Sequence, residues 1–403
     1  MLVRSRVIAA LEAKKDRFAG YQVALGDRLN RYQEALRGLP SLSQGEIEGR
    51  LAQVDTDWPG ARPTGEQDRL RDVVISFGER WATHEPARAW ARDVLLDHPT
   101  FAVDGSQIPP SRDLSVPVGA VQVGWFENPH ARGGQYVKEI TFEVLAPDEL
   151  AGQPDASASQ NGQTAISPFP DAQVNVRRFE LECQTMVDYM KAHAGTHPAP
   201  LCFFDGSLVV SFAEHMRPEL RQRYVAAVTA MIRTSEESQV PLVGYVDTSY
   251  ARDLMTMLSI VFGLPFPSHL SDGGLLRPRM QWGDRCQVYQ CARDDQVLPL
   301  YGPLAHRICF TYLKTTTDGQ PARIELPCWI AEDEDQLARV LDLIRAECVV
   351  GNGYPYALET ADAVAVIKME DRKRFYATFQ QFSDKEGMSV RYSRKARSKQ
   401  MRR

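Results

Sequence analysis

Two stretches of the sequence contain the same tripeptide, Asp-Gly-Ser, whose acid could take part in catalysis. The first stretch runs from Phe101 to Ser106 and the second from Leu201 to Leu208. Each is an apolar run that predicts a buried strand, followed by a glycine that lets the backbone turn away. Asp104 and Asp205 would stand where their strands leave the core, as metal ligands or acid–base groups. The alternative, that both Asp-Gly pairs are only turns, stays open at this point.

Two predicted helices could bring further carboxylates to these aspartates. A helix over about 174–193 offers Glu180 and Glu182 at the border of its apolar face, and a helix from about 357 to 382 offers Asp362. We expect Asp362 to face the packed side, because apolar residues lie one turn away along the helix. The alternatives are a solvated helix face for the two glutamates and a helix N-terminal charge for Asp362.

The order of predicted elements indicates how the acids could meet. Three strands come first, and a helix, a strand, a helix and a strand follow; the strands cover 100–104, 116–126, 139–145, 201–205 and 241–246. This order favours an α/β fold with a ribonuclease H-like mixed β-sheet flanked by helices. In that sheet the first and fourth strands are neighbours, so we expect Asp104 and Asp205 to lie together.

Four carboxylates at one sheet edge would suit hard divalent cations, which prefer oxygen ligands. The predicted metal ligands are Asp104, Glu182, Asp205 and Asp362. Two such ions about 4 Å apart can activate a water and stabilise the leaving oxygen in phosphodiester cleavage. The sequence contains no P-loop motif, and it shows no arrangement typical of a nucleophilic serine or cysteine.

The rest of the chain is predicted to surround this core. Residues 1–95 are expected to form an N-terminal helical region that serves packing or oligomerisation, and residues 96–385 the main domain. Within that domain, 146–172 has the composition of a flexible loop. Residues 386–403, after the domain, are expected to form a basic tail. The N-terminal helical stretches are predicted over 5–38 and 65–95.

Composition excludes some classes of protein. The net charge of -5 over 403 residues gives no global basic surface, so any nucleic-acid interface must be local. The seven cysteines form no C-x-x-C pair and are expected to be reduced core thiols. No apolar signal region and no membrane-length apolar stretch is present. Together these features predict a cytoplasmic protein that does not enter a membrane.

Three blocks of the chain resemble conserved blocks of the NurA nuclease family. They are Phe101–Ser106, Phe203–Leu208 and Tyr354–Asp362, their order agrees, and the likeness spans about 100–367. The resemblance implies a manganese-dependent DNA nuclease. Mg²⁺ is the alternative metal, and two ions are expected. It further implies 5′-to-3′ exonuclease and single-strand endonuclease activity, a homodimer, and work with the hexameric ATPase HerA in resecting DNA ends during double-strand break repair.

The resemblance also carries residues onto this sequence. Asp104 and Asp205 match the two strand aspartates of the family, and the run from Arg177 to Glu182 matches the block that supplies a helix glutamate. Glu182 is favoured because it lies deeper in the helix, and Glu180 stays open as the alternative.

Other positions match the family less closely. Tyr354 matches a tyrosine near the family's site and would position a phosphate or a base. Asp362 falls where archaeal members carry a histidine, which would alter the metal preference. Asp247 is favoured as part of a helix N-cap region over a site role. Arg178, Arg252 and the basic tail are candidate phosphate contacts.

Two other hypotheses remain at the level of the sequence. The same fold could serve as a non-catalytic adaptor that docks on a DNA-translocating ATPase. It could also belong to an RNA-directed ribonuclease H-like enzyme, because the sequence carries no recognisable signature for the 2′-hydroxyl.

Overall fold

The computed structural model describes residues 2–111, 113–151 and 171–391. Its helices are α1 (Arg4–Glu12), α2 (Lys15–Gly38), α3 (Gln44–Leu51), α4 (Glu66–Arg69), α5 (His84–Leu95), α6 (Pro147–Ala151), α7 (Asp171–Ala192), α8 (Pro218–Ser238), α9 (Asp253–Phe262), α10 (Asp272–Leu276), α11 (Cys328–Ala331), α12 (Glu334–Val350), α13 (Tyr356–Ala365) and α14 (Met369–Lys385). Its strands are β1 (Gly60–Pro63), β2 (Val74–Ile75), β3 (Thr100–Ile108), β4 (Gly119–Asn128), β5 (Val137–Leu145), β6 (Leu201–Asp205), β7 (Leu242–Val246), β8 (Arg285–Cys286), β9 (Tyr289–Ala292), β10 (Ile308–Leu313) and β11 (Ala322–Pro327).

The chain divides into two compact units. The first unit contains the described residues up to Arg80, together with Tyr245–Leu298 and Ala305–Ala331. The second unit contains the described residues from Trp81 to Gly244 and from Glu332 onward, with Pro299–Leu304. The domain boundary expected near residue 95 stays a prediction.

The second unit is built on the sheet predicted from the element order. Strand β3 pairs antiparallel with β4, β4 pairs antiparallel with β5, and β3 pairs in parallel with β6. The β7 residues that belong to this unit continue the sheet beyond β6. The resulting order, with the first and fourth strands of the unit side by side, is ribonuclease H-like and confirms the predicted fold class.

Helices α7 and α13 both pack on β3 and β4. Side chains alternate between the two faces of a strand, so neighbouring glycines show which helix covers which face. A Cβ at Gly105 would meet α7 side chains, whereas a Cβ at Gly124, which pairs with Asp104, would lie 2.8 Å from the backbone nitrogen of Ala365 in α13. The two helices therefore cover opposite faces, and Asp104 projects on the α13 side.

The strands of the first unit form antiparallel pairs. Strand β9 pairs with β1 and with β10, β10 pairs with β11 and β8, and β2 pairs with β8. The hairpin predicted around Thr317–Gln320 is confirmed as the β10–β11 connection. A helix predicted over 65–95 is wrong between α4 and α5, because Val74 pairs with Cys286 in a strand. A short apolar run does not distinguish a helix from a strand, and here the distant partner decides.

The last predicted helix is two helices instead of one. Val366 has an extended backbone that ends α13, and α14 begins after Lys368, whose N–H donates to the carboxylate of Asp371. The loop predicted over 146–172 contains α6 and the start of α7, while 152–170 lies outside the described residues. Of the predicted basic tail, the described residues end at Arg391.

Two of the seven cysteines are not free thiols. Cys309 in β10 and Cys328 directly after β11 form a disulfide across the hairpin, with Cα atoms 5.2 Å apart. The expectation of reduced cysteines is wrong for this pair, because the pairing of β10 with β11 brings together two residues that are 19 positions apart in the sequence. The other five are free and buried. Within the described ranges, no helix is long and apolar enough to span a membrane.

Candidate active site

The parallel pairing of β3 with β6 brings the two aspartates to one end of the sheet. The register matches Val103 with Phe204, and Asp104 and Asp205 are the next residue on each strand. The apolar residues that precede the aspartates on both strands are buried, whereas Asp205 is exposed and Asp104 is partly exposed. Both line a cavity of about 480 Å³. The two copies of Asp-Gly-Ser therefore meet at one site.

The glycines that follow the two aspartates have different roles. Gly206 has a φ of +137° and turns the chain away from β6, as the sequence predicts. At Gly105 the predicted turn is wrong, because β3 continues to Ile108. Gly105 is required for another reason: the Glu182 carboxylate and the Arg178 side chain pack where its Cβ would lie.

Helix α7 supplies the third carboxylate of the cavity, which is Glu182. Its residue is only 6% exposed, and its Oε1 is buried without a hydrogen-bond partner of good geometry. Arg178, one turn earlier, places Nη1 3.1 Å from that oxygen and also donates to the carbonyl of Gly105 at 2.9 Å. The cavity thus holds a buried carboxylate whose ligand capacity the described protein atoms do not fill.

Glu180, the alternative left open by the sequence, points elsewhere. Both of its oxygens accept from Arg223 of α8, at 2.6 and 2.7 Å. It does not line the cavity that Asp104, Glu182 and Asp205 share. Glu180 therefore fastens α7 to α8, and Glu182 is the helix glutamate that the fold brings to the aspartates.

The remaining predicted site residues are placed less centrally. Asp362 is exposed, so its expected position on the packed side of α13 is wrong: the buried stripe runs through Leu358, Ala361 and Ala365, and Asp362 lies beside it. Its charge nevertheless raises the pKa of Asp104. Tyr354 lies half-buried in the turn before α13 and is not among the residues that line the cavity.

Two further candidates belong to the first unit. Asp247 is exposed directly after β7, and its carboxylate accepts a hydrogen bond from Thr248. Arg252 lies 5.2 Å from the ring centroid of Phe266. Asp247 lies six residues before α9, whose N-cap is Arg252, so the expected capping role of Asp247 is wrong. The contact of Arg252 with Phe266 does not indicate a phosphate site.

Burial, together with neighbouring charges, raises the pKa of two acids in the cavity. Burial raises the pKa of Glu182 to about 8, and the Asp104 and Asp205 charges add to this effect while Arg178 opposes it. Burial likewise raises the pKa of Asp104 to about 6, helped by the Asp205 and Asp362 charges and opposed by the Gly105 N–H and by Arg178. Crowded carboxylates of this kind are stabilised in their charged form by a cation.

The carboxylate oxygens of the cavity are suitable ligands for a divalent metal ion, although they are not arranged in a preformed coordination geometry. Among the residues that the structure describes, no group of three or more His, Cys, Asp or Glu side chains is arranged to hold a metal. Asp104 projects on the α13 face of β3, Glu182 approaches β3 from the α7 face, and Arg178 supplies the positive charge next to Glu182. The unsatisfied Glu182 oxygen and the raised pKa values nevertheless indicate a site that favours an added cation.

These pKa shifts predict how the metal-free protein responds to pH. A carboxyl group with a raised pKa binds more protons in the folded than in the unfolded state, so stability falls as pH rises through about 4 to 8. We expect Asp104→Asn to remove part of this fall and to raise the free energy of unfolding at pH 8, on the order of 2 kcal/mol. Thermal melting in EDTA from pH 4.5 to 8.5 measures it. A variant that melts below the wild type at pH 8 would contradict this account.

Sequence reasoning missed several residues that line the cavity. They are Gln107, Asn175, Phe179, Ser207, Phe212, Met216 and Tyr224. Phe179 and Tyr224 are buried and fit an ordinary helical stripe, so their periodicity signals only packing. Phe212 is exposed and follows no periodic pattern, so nothing in the sequence distinguishes it from a loop residue.

The fold and the cavity together define a ribonuclease H-like protein with carboxylates at the ends of two neighbouring strands. A family model described as the NurA domain matches residues 98–367, which is more than half of the chain. The chain therefore belongs to the NurA family, as the three sequence blocks predicted. No curated protein sequence matches it.

One of three similar solved structures supports the same fold. The NurA nuclease from Sulfolobus solfataricus is 11% identical, with a TM-score of 0.52 over 96% of this chain and 98% of that chain. A structure of NurA with manganese is 12% identical, with a TM-score of 0.38 over 71% of this chain and 89% of that chain. The catalytic domain of human Endonuclease V is 14% identical, with a TM-score of 0.31 over 78% and 95%. At these identities the first likeness shows the fold alone, and nothing is inferred from the other two.

Proposed function

We propose that the protein is a metal-dependent DNA nuclease, a phosphodiesterase that acts as a 5′-to-3′ exonuclease and a single-strand endonuclease. The observation that carries the proposal is the cavity in which Asp104, Glu182 and Asp205 meet at the end of β3 and β6. Membership of the NurA family supports it. Resection of DNA ends during double-strand break repair is the matching cellular role.

In this proposal Asp104, Glu182, Asp205 and Asp362 hold Mn²⁺, with Mg²⁺ as the alternative and two ions as the expected number. When bound, such ions supply Lewis-acid stabilisation of the charge that develops on the phosphate. The chain's own contribution is to fix the carboxylates: β3 and β6 position the aspartates, and α7 buries Glu182 against Gly105. Tyr354, in the turn before α13, is proposed to orient the substrate.

Arg178 is the one cation among the residues that line this cavity in the described structure. Its Nη1 lies next to the Glu182 carboxylate and donates a hydrogen bond to the carbonyl of Gly105, so its first role is to hold α7 against β3. A phosphodiester that enters a cavity with three carboxylates and one arginine meets net negative charge. Bound cations are therefore needed for the substrate as well as for the chemistry.

The nuclease proposal is tested with the purified full chain and end-labelled DNA. We expect cleavage of single-stranded DNA and of duplex ends in Mn²⁺ and none in EDTA. Asp104→Ala should lower the rate by about 10³-fold or more, because several kcal/mol of transition-state stabilisation are lost. Matched RNA strands measure the preference for DNA. Absence of cleavage, or cleavage that survives Asp104→Ala, would favour a non-catalytic adaptor instead.

Two partners are proposed with this function, a second copy of the chain and a HerA-type hexameric ATPase. The family resemblance suggests both. In the described structure no residue of α1 is buried. Large apolar side chains of α1 and α2 are exposed: Val7, Ile8, Leu11, Phe18 and Tyr21. A partner would cover this surface. Light scattering of the purified chain, alone and with the ATPase, measures the mass of each assembly.

A further inference from the structure

Phe212 is an exposed aromatic side chain on the wall of the acidic cavity. It lies in a short helical turn, Ser211–Ala213, that follows β6. Within the described part of the chain its residue is 57% exposed, although it lines the same cavity as Asp104 and Asp205. The packing of the core therefore does not account for a phenylalanine at this position.

The ring of Phe212 is held in place from behind. Phe179 of α7 and Tyr224 of α8 are buried, with ring centroids 6.3 and 5.1 Å from that of Phe212. Their planes are inclined by 73° and 87° to its plane, the edge-to-face arrangement that aromatic pairs prefer. Phe212 is thus a fixed aromatic surface that faces the cavity.

The chemistry around Phe212 matches a nucleotide rather than a purely apolar ligand. Gln107, Asn175 and Ser207 line the same cavity and offer hydrogen-bonding groups. Gln107 Nε2 donates to Asn175 Oδ1 at 3.0 Å, which fixes both amides. An exposed aromatic ring is what proteins use to stack the bases of single strands. The carboxylates beside it would hold the cation that meets the phosphate.

We propose that Phe212 is the stacking platform for one unpaired base next to the phosphodiester that is cut. This inference rests on the proposed nuclease function and adds a base subsite to it. Stacking on an aromatic ring accepts any base, because every base has a π-face. The subsite would therefore favour single-stranded DNA without selecting a sequence. Phe212 acts as a positioning residue in this reaction.

A cycle of protein and substrate changes tests the proposal. The substrates are labelled single strands, intact or with one abasic position that is moved along the strand. We expect Phe212→Ala to lower kcat/KM on the intact strand by about 5- to 150-fold, the range for the loss of one stacked base. One abasic position should lower the wild-type rate similarly and leave the Phe212→Ala variant unaffected. Phe212→Trp should retain activity.

Phe382→Ala is the matched control, because Phe382 on α14 is 54% exposed and does not line the cavity. It should change neither the rate nor the abasic effect. If the effects of Phe212→Ala and of every abasic position simply multiply, the stacking proposal is overturned. If the wild type cleaves no substrate, the nuclease function fails by itself. The same cycle, measured as Kd by fluorescence anisotropy, then decides whether a base stacks on Phe212.

Discussion

Replacing Glu182 by glutamine should lower DNA cleavage by about 10³-fold while the protein stays folded, because a carboxylate that would hold the cation is lost. Burial raises the pKa of Glu182 to about 8, so this carboxyl group is largely protonated in the metal-free protein near neutral pH. Glutamine resembles that neutral form. We therefore expect the metal-free variant to melt at or above the temperature of the wild type.

Glu180→Gln is the matched control, two residues away on the same helix. It removes the paired hydrogen bonds with Arg223, so it should cost about 1 kcal/mol or less of stability. Cleavage should stay within a few-fold of the wild type. The two variants thus separate loss of activity from loss of stability. Equal losses of activity in both, measured with the same labelled strand in Mn²⁺, would contradict the assignment of Glu182 to the site.

Gly105→Ala should lower DNA cleavage by about 10²-fold. The added Cβ would lie 2.8 Å from Arg178 Cγ and would collide with the Glu182 carboxylate. Both neighbours are parts of long side chains that can move, so the expected loss of stability is only about 1 to 2 kcal/mol. The displaced carboxylate is what lowers the rate, since a shift of about 1 Å can cost 10²-fold.

The control for the extra methyl group is Gly49→Ala in α3, where a Cβ would meet nothing within 4 Å. That change should leave cleavage unaltered and stabilise the helix slightly, by up to about 1 kcal/mol. Melting curves and initial rates of both variants are compared in the same buffer. Full activity in Gly105→Ala would show that the contact between Glu182 and Gly105 is dispensable.

The sequence was sufficient to predict the sheet and its two aspartates, because long-range order followed from simple patterns. Apolar runs marked the strands, and the order of strands and helices placed the first beside the fourth. The alignment of Val103 with Phe204 then brings Asp104 and Asp205 together.

The helix acids could not be assigned from the sequence alone. Glu180 and Glu182 both lie at the border of an apolar stripe, and only the position of Arg223 on another helix separates them. Asp362 shows the same difficulty, since one residue of rotation on α13 decides whether it is packed or exposed. Local periodicity is too coarse for such assignments.

The meaning of Gly105 also depends on tertiary structure. An Asp-Gly pair predicts a turn, and at Gly206 this was correct, but at Gly105 the strand continues and a helix approaches instead. The N-terminal region shows the converse case. Its apolar residues near Val74 have helical spacing, yet their partner strand lies more than 200 residues away at Cys286.

Arg178 gives the site a counter-ion of its own. With Nη1 3.1 Å from the Glu182 carboxyl group, it opposes the rise in the pKa of this group that burial and the two aspartates cause. The same positive charge repels an incoming metal cation and therefore lowers the affinity of the site for that cation. In return, the protein stays folded when no cation is bound. The fraction of sites that hold a metal ion should consequently follow the free concentration of that ion. A molecule without the ion would be inactive but folded.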